Sequence, residues 1–302
     1  MPAAAPSSQL TQLTSREVRT VITAHRQTEG AGFVVRRPLP SPGLSLQLAD
    51  PFLLLDEMGP IDYAPGAALG APDHPHRGFE TVTYLLAGAA EHQDSAGHRG
   101  TTRAGDVQWM TAGSGIVHSE LPAKHLREGG GRMHGFQIWV NLPARLKRTP
   151  PRYQAVPAAT MPTGRSSDGL AEVKVIAGQA LDVGAAIATH TPIVYLDWTL
   201  QPGAEVWVDL PQDHTGLVYV FGGAALVGEG RRKVADGQLA VLAPGDRLLL
   251  RSDQGARLLV LGGVPHGEPI AHYGPFVMNT QTEIQEAIQD YQSGRMGRIV
   301  RS

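Results

Sequence analysis

The feature that most restricts the fold is a recurrence of short β-branched and aromatic runs, each ended by glycine or proline. Examples are "TVTYLL" from Thr81, "GDVQWMTAG" from Gly105 and "GFQIWVNLP" from Gly135, and "LSLQLA" from Leu44 fits the same pattern. The 36 glycines and 23 prolines make up about a fifth of the chain, whereas their usual share is roughly 12%. Runs of this kind are typical of strands joined by tight turns, so the sequence predicts an all-β fold.

Two stretches in the second half of the chain repeat stretches of the first half. "YLLAGAA" from Tyr84 resembles "YVFGGAA" from Tyr219, and "RAGDVQWMTAG" from Arg103 resembles "APGDRLLLRSD" from Ala243. Between them, residues 150–169 are rich in proline, alanine, serine and glycine, a composition typical of a connection. We therefore predict two sandwich or barrel units of similar topology, assigned to residues 1–150 and 151–302.

One helix is predicted near the C-terminal end of the sequence. Apolar residues from Ile284 to Tyr291 follow the i, i+3, i+4, i+7 spacing of a single helix face. Thr280 and Glu283 have the spacing of a capping box at its start. A helix with one apolar stripe is expected to pack against the outside of a β unit.

Charge and residue content exclude several classes of function. The formal net charge is −2, and no stretch is rich in lysine and arginine, which argues against direct nucleic-acid binding. The absence of cysteine excludes disulfides and thiolate ligands, so nitrogen and oxygen atoms must hold any metal. The apolar runs are shorter than the roughly 18 residues of a membrane span, and the opening "MPAAAPSSQL" lacks a signal-peptide pattern. We expect a cytoplasmic protein that binds no membrane.

Two pairs of side chains at strand spacing form the candidate metal site. "PDHPH" places His74 and His76 two residues apart, and "GSGIVHSEL" does the same for His118 and Glu120. Residues i and i+2 of a strand point to one face, and Pro75 indicates a sheet edge. If the two segments adjoin, three imidazoles and one carboxylate converge. Such ligands suit Fe(II), Mn(II), Co(II), Ni(II), Cu(II) or Zn(II).

Neighbouring polar and aromatic residues receive secondary predictions. Glu80, four residues after His76, would share its face as a fifth ligand or as an outer partner of the site. Trp139 is predicted in the core, and Met110 and Phe136 belong to the core or line an apolar pocket beside the metal. Asp94 is predicted in a solvated turn. The remaining histidines near the site are predicted at the rim or the surface: His92, His98 and His134.

Five stretches together make the chain resemble the pirin family, a two-domain branch of the cupin superfamily. They are "DPFLLLDEMGP", "HPHRGFETVTYLL", "GDVQWMTAGSGIVHSE", "HGFQIWVNLP" and "YGPFVMNTQTEI", and the resemblance covers nearly the whole chain. It implies two cupin barrels, of the double-stranded β-helix or jelly-roll type, placed face to face. It also implies one metal, commonly iron, in the N-terminal barrel.

The resemblance also implies which residues hold that metal. The four ligand positions of the family correspond to His74, His76, His118 and Glu120. The general cupin pattern would use Glu80 as the carboxylate ligand, so the pirin-like spacing leaves its role open. In the second unit the corresponding stretch "PQDHTG" offers only His214, so that unit is predicted to lack a complete metal site.

Two functions are compatible with this resemblance. The first is a quercetin 2,3-dioxygenase-like enzyme that opens flavonols with O2 and releases CO, with Glu120 as general base. The alternative is a metal-dependent regulator that binds a transcription factor or a metabolic enzyme. Zinc-dependent isomerase or hydrolase chemistry, found in other cupins, is a third and weaker alternative. In each case we expect a monomer.

Overall fold

The computed structural model of the protein describes residues 13–29 and 33–301. The opening decapeptide, on which the signal-peptide prediction rests, lies outside these residues. Strands predominate in the described chain, which confirms the all-β prediction. No helix in the described part is both long and apolar enough to cross a membrane.

Most strands are short and lie between glycine- or proline-containing turns, as the sequence predicts. The first strands are β1 (Val18–Thr23), β2 (His25–Glu29), β3 (Phe33–Leu39), β4 (Phe52–Tyr63), β5 (Ala71–His76), β6 (Phe79–Ala87), β7 (Ala89–Asp94), β8 (Arg99–Arg103), β9 (Val107–Thr111), β10 (Ile116–Pro122), β11 (Gly131–Asn141) and β12 (Arg152–Val156). The next are β13 (Thr163–Arg165), β14 (Ala171–Ala177), β15 (Gln179–Ala180), β16 (Val183–Gly184), β17 (Ile193–Leu200), β18 (Ala204–Asp209), β19 (Thr215–Val227), β20 (Arg232–Ala235), β21 (Gln238–Leu242), β22 (Arg247–Ser252), β23 (Ala256–Gly263), β24 (Ala271–Tyr273) and β25 (Phe276–Met278). The α-helices are α1 (Leu46–Ala49), α2 (Lys124–Gly129) and α3 (Gln281–Gln292).

Two sheets face each other in the first half of the chain, which we call the N-terminal unit. The larger sheet has the order β12-β9-β6-β11-β4-β3-β2, and the smaller has the order β5-β10-β7-β8. Thr83, Gln108 and Gln137 on the larger sheet hydrogen-bond Glu120 on the smaller one. The inner faces of the two sheets therefore enclose polar side chains.

The second half of the chain, the C-terminal unit, is built around an apolar interior. Its sheet contains β1, β13, β14 and β17 to β23. Trp198, Val220, Leu250 and Leu258 belong to one cluster of buried side chains in which aliphatic residues predominate. β17, β19 and β23 have near-continuous apolar runs because alternate residues face this core and a second core that the two units share.

A shared apolar core joins the two units. Val82, Tyr84 and Phe136 lie on the outer face of the larger N-terminal sheet, and they pack with Tyr195 and Tyr219 of the C-terminal unit. Side chains therefore alternate along β6, so that one set points toward Glu120 and the other toward the C-terminal unit. The polar site and the interface between the units therefore lie on opposite faces of the larger N-terminal sheet.

Both ends of the described chain cross to the other unit. β1 pairs with β21 of the C-terminal unit. In the opposite direction, Met278 and Ile284 pack with Val117 of the N-terminal unit. The division into 1–150 and 151–302 remains a proposal, and these exchanges show that neither half of the chain completes its unit alone.

The C-terminal helix agrees with its sequence pattern, whereas one predicted strand does not form. α3 begins after Thr280, whose side chain and Glu283 form the capping box, and Ile284 is buried. Tyr291, at the end of the predicted stripe, is 40% exposed. The run from Leu44 was predicted as a strand, but residues 46–49 form α1. Its four residues are too few for alternation to distinguish strand from helix.

Candidate metal centre

Three imidazoles meet on the inner face of the smaller sheet. β5 carries His74 and His76 and pairs antiparallel with β10, where His118 lies directly opposite His74. The ring centroid of His118 is 4.3 Å from that of His74 and 4.9 Å from that of His76. One nitrogen from each of the three lies within 4.8 Å of the other two. The structure therefore brings together three of the four predicted ligands.

Backbone carbonyls orient two of these rings. His74 Nδ1 lies 2.7 Å from the carbonyl oxygen of Pro72, and His76 Nδ1 lies 3.3 Å from that of Pro275. Because a carbonyl only accepts, both Nδ1 atoms carry hydrogen and both Nε2 atoms present lone pairs. The two Nε2 atoms are 3.1 Å apart. Two imidazole ligands at about 2.0–2.1 Å from one cation would have this spacing.

The third ring is buried and has no hydrogen-bonding partner in the part of the chain that the structure describes. His118 is fully buried, and within the described chain neither of its ring nitrogens makes a hydrogen bond. Burial lowers the pKa of His118 well below its usual value, and the neighbouring His74 and His76 lower it further. Burial and His74 likewise lower the pKa of His76. Neutral rings with free lone pairs fit a metal cation, and a cation would satisfy the otherwise unpaired His118.

Glu120 is held by three neutral donors from the opposite sheet. Thr83 Oγ1 donates to Oε1 over 2.9 Å, Gln108 Nε2 to Oε1 over 3.2 Å, and Gln137 Nε2 to Oε2 over 2.7 Å. Glu120 forms a second group of possible ligands with His118 and His92, again within 4.8 Å. His118 belongs to both groups, so it lies close both to Glu120 and to His74 and His76 on β5.

A cavity of about 490 Å³ opens onto this cluster. Its size falls within the roughly 300–1,000 Å³ typical of small-molecule sites. His74, His76 and Glu120 line one side of it. The apolar part of the wall comes from Leu53, Leu54, Met58, Met133 and Trp139.

The C-terminal segment of the chain completes the cavity. His272, Gly274 and Pro275, around the turn between β24 and β25, line it together with residues of the N-terminal unit. Pro275 is also the carbonyl partner of His76. Sequence spacing gives no sign of this wall, because some 200 residues separate it from the histidines.

Glu80 lies outside both groups of possible ligands, which corrects the expectation that it shares the face of His76. The strand is interrupted: Gly78 separates β5 from β6 and has φ +91°. A Cβ atom there would lie 1.9 Å from the carbonyl oxygen of Val277, so only glycine fits. The alternation restarts after this turn, and the buried Glu80 instead accepts a 2.6 Å hydrogen bond from Thr111. Burial raises the pKa of Glu80.

His92 and Asp94 are buried, not at the rim or in a solvated turn as predicted. Their exposed fractions are 2% and 3%. β7 pairs with β10 so that His92 lies opposite Glu120 and Asp94 opposite His118. Burial alone would raise the pKa of Asp94, but hydrogen bonds from His92 and His98 hold it below its usual value. The i, i+2 spacing of His92 and Asp94 is the signal that could have identified them.

Other predicted neighbours have different surroundings. Phe136 packs in the core between the units and Met110 packs with Ala112 and Ile116, so neither lines the cavity. Trp139, expected in the core, does line it. His134 Nε2 lies 2.8 Å from Glu57, away from the cluster.

Comparisons with known proteins agree with this architecture. The sequence profile of the pirin family matches residues 32–140, and that of the pirin C-terminal cupin domain matches residues 195–297. A pirin-like protein of Solanum lycopersicum is 44% identical, over 91% of this chain and 91% of the relative. The crystal structure of a quercetin 2,3-dioxygenase from Acinetobacter baumannii is 39% identical, with a TM-score of 0.89, and covers 95% of this chain and all of that one.

A more distant structure shares the fold alone. It is a bacterial pirin from Escherichia coli in complex with nickel(II), 20% identical, with a TM-score of 0.62 over 82% of this chain and 99% of that one. The two-cupin fold expected from the sequence is therefore confirmed.

Proposed function

This chain belongs to the pirin family, and we propose that it is a metal-dependent dioxygenase that opens flavonols such as quercetin with O2 and releases CO. We assign the metal, Fe(II) by preference, to His74, His76, His118 and Glu120. The single observation that carries the proposal is the buried His118, which has no partner among the described residues and lies beside the two oriented Nε2 atoms of His74 and His76 at the cavity wall. Its likeness to the Acinetobacter baumannii enzyme supports the choice of reaction.

The histidines and the apolar residues of the cavity would have separate roles in this reaction. A bound divalent cation supplies Lewis acidity, which lowers the pKa of a substrate hydroxyl brought against it. His74, His76 and His118 hold that cation in place. Leu53, Met133 and the other apolar walls seat the aromatic rings and exclude water.

Glu120 is the candidate general base. Oε1 already accepts two hydrogen bonds, whereas Oε2 accepts one, from Gln137. Oε2 therefore keeps one lone pair, which can take the proton of a substrate hydroxyl while Glu120 is not bound to the cation. The three donors fix the carboxylate so that no rearrangement is needed when the proton moves.

The test is flavonol turnover by the protein loaded with one metal at a time. We expect quercetin-dependent O2 uptake with stoichiometric CO, and a loss of roughly 10²–10⁴-fold in kcat for Glu120→Gln. His214→Gln, in the C-terminal unit, is the matched control and should keep wild-type turnover. A metal-loaded protein that consumes no O2 with quercetin would overturn the proposal.

A surface contact favours a second candidate function, a metal-dependent regulator. Arg301 forms an ion pair with Asp73, the residue directly before His74. The charge of an ion at the site would thus act close to an exposed pair at the C-terminal end of the described chain. A protein partner that binds the metal-loaded form and not the metal-free form, together with no O2 uptake, would favour this function.

A further inference from the structure

Asp94 holds two imidazoles with one oxygen and the backbone with the other. Its Oδ1 accepts from the backbone N–H groups of Ala96 and His98, each over 2.9 Å. Its Oδ2 lies 3.2 Å from His92 Nε2 and 2.9 Å from His98 Nδ1. A carboxylate only accepts, so both of these ring nitrogens carry hydrogen.

This contact sets the tautomer of His92. With hydrogen on Nε2, the Nδ1 atom of the neutral ring presents a lone pair. Gln108 Nε2 lies 3.1 Å from that Nδ1 and donates to it. Its second hydrogen points to Glu120 Oε1, 3.2 Å away.

The other end of the Gln108 amide agrees with this orientation. Its oxygen lies 3.2 Å from Thr102 Oγ1 and 3.4 Å from the Tyr153 hydroxyl, both of which can donate. Turning the amide would place its oxygen against the lone pair of His92 Nδ1 and against the Glu120 carboxylate. One arrangement of hydrogens therefore satisfies all of these groups.

We propose that Asp94 and His92 are positioning residues: through Gln108 they keep an N–H directed at Glu120 and so hold its carboxylate ready for the metal. The chain of contacts runs Asp94, His92, Gln108, Glu120. The part that concerns the metal rests on the proposed function, because it takes Glu120 as a ligand. The tautomer of His92 does not depend on that assignment.

Asp94→Asn isolates this effect. The oxygen that the substituted side chain retains can still accept from both backbone N–H groups, so the turn is kept. The new amide nitrogen donates toward His92 Nε2, which requires hydrogen on Nδ1 instead. As in catalytic triads, the substitution leaves the shape of the site while imposing the wrong tautomer. Gln108 must then turn, which sets its oxygen against Glu120.

The first measurement uses the metal-free protein with ¹⁵N-labelled histidine, and the His92 signals are assigned with a His92→Gln variant. We expect hydrogen on Nε2 in the wild type and on Nδ1 in Asp94→Asn. A wild-type ring with hydrogen on Nδ1, or an unchanged tautomer in the variant, would overturn the inference. Because no metal is present, this result is independent of the proposed function.

The second measurement is Zn(II) affinity by competition with a chromophoric chelator. We expect Asp94→Asn to bind Zn(II) roughly 10–100-fold more weakly, because Gln108 then no longer donates to Glu120, and this is the usual effect when a ligand loses the hydrogen bond of an outer partner. Gln108→Leu should weaken binding similarly, and the double variant should bind no more weakly than Gln108→Leu alone. Wild-type affinity in Asp94→Asn, or additive losses in the double variant, would contradict the coupling.

His98→Gln is the matched control, because it changes the outer partner of the same Asp94 oxygen. It should leave both the His92 tautomer and the Zn(II) affinity as in the wild type. If Asp94→Asn and Gln108→Leu unfold at the same midpoint as the wild type, their effects do not come from loss of structure. A wild-type protein that fails to bind Zn(II) would count against the proposed function, and the tautomer measurement would then decide the inference alone.

Discussion

The two units place different chemistry in equivalent positions. Between its sheets the N-terminal unit holds imidazoles, amides and Glu120, with ring nitrogens of His118 left unpaired among the described residues. The interior of the C-terminal unit is predominantly aliphatic, and its His214, which the sequence predicts to correspond to the first histidine motif, contacts Asp213. A repeated scaffold can thus carry a reactive interior in one copy and a stabilising interior in the other.

At their interface the units are more alike. Tyr84 donates a 2.6 Å hydrogen bond to Asp197 of the C-terminal unit. Tyr219, its counterpart in the repeated sequence, donates a 2.6 Å hydrogen bond to Glu57 of the N-terminal unit. Each unit therefore donates a hydrogen bond to a buried carboxylate of the other.

The largest expected effect is on metal affinity, which should depend on the N-terminal unit and not on the C-terminal unit. His118→Ala should weaken the binding of Fe(II) or Zn(II) by more than roughly 100-fold, because losing a direct ligand exceeds the effect of losing an outer partner. His214→Ala should leave affinity unchanged. Elemental analysis after dialysis and chelator competition measure both. Equal losses in the two variants would remove the distinction between the units.

A second test addresses the apolar interior. Leu250 is fully buried in the C-terminal core, so Leu250→Ala should lower the free energy of unfolding by about 2–5 kcal/mol. Leu69 is 57% exposed, and Leu69→Ala should stay within about 0.5 kcal/mol. Denaturant titration of the metal-free protein measures both. A Leu250→Ala loss no greater than that of Leu69→Ala would argue against a tightly packed second interior.

The hydrogen bonds of Tyr84 and Tyr219 should contribute unequally to the free energy of unfolding. Without Tyr84, the hydrogen-bonding partner left to Asp197 among the described residues is Arg257, 3.3 Å away, so Tyr84→Phe should cost about 1–3 kcal/mol. Without Tyr219, Glu57 still has its ion pair with Arg36, so Tyr219→Phe should cost about 0.5–1.5 kcal/mol. Thermal and denaturant unfolding compare them, and the reverse order would show that Glu57 is the less well compensated carboxylate.

The smallest expected effect is a change of pH dependence. Burial raises the pKa of Asp197 in the folded protein, although Arg257 and Tyr84 oppose it. Folded Asp197 therefore holds its proton to a higher pH than unfolded Asp197, which titrates near about pH 4. This contribution favours folding in acid and is lost as pH rises through the raised pKa. Asp197→Asn should thus gain stability relative to the wild type as pH rises from about 4.

Asp168 supplies the control with the opposite sign. It is fully exposed, and a hydrogen bond from Ser166 lowers its pKa. Its contribution is present above the unfolded pKa and lost as pH falls, so Asp168→Asn should lose stability relative to the wild type as pH rises. Unfolding curves from about pH 2 to pH 8 measure both slopes, because the Asp168 contribution changes below about pH 4 and the Asp197 contribution above it. Slopes of the same sign would contradict the assignment.

Local sequence patterns were enough to predict part of the metal site and the C-terminal helix. The i, i+2 spacing of His74 with His76 requires only strand geometry. The capping box of α3 likewise requires only Thr280 and Glu283. The same reasoning failed for Glu80, because the glycine turn at Gly78 restarts the alternation. It also failed for His92, whose burial depends on the strand that pairs with β7.

The sequence by itself determined the strand-rich class, the repeat, the family resemblance and the residues able to bind a metal, since these follow from residue type and short-range spacing. Only the tertiary structure decided that His118 lies opposite His74, that Pro275 orients His76, and that the buried Asp94 lies opposite His118. Pairing register and the crossing of both chain ends join residues distant in sequence. No periodicity within a strand encodes which partner it will meet.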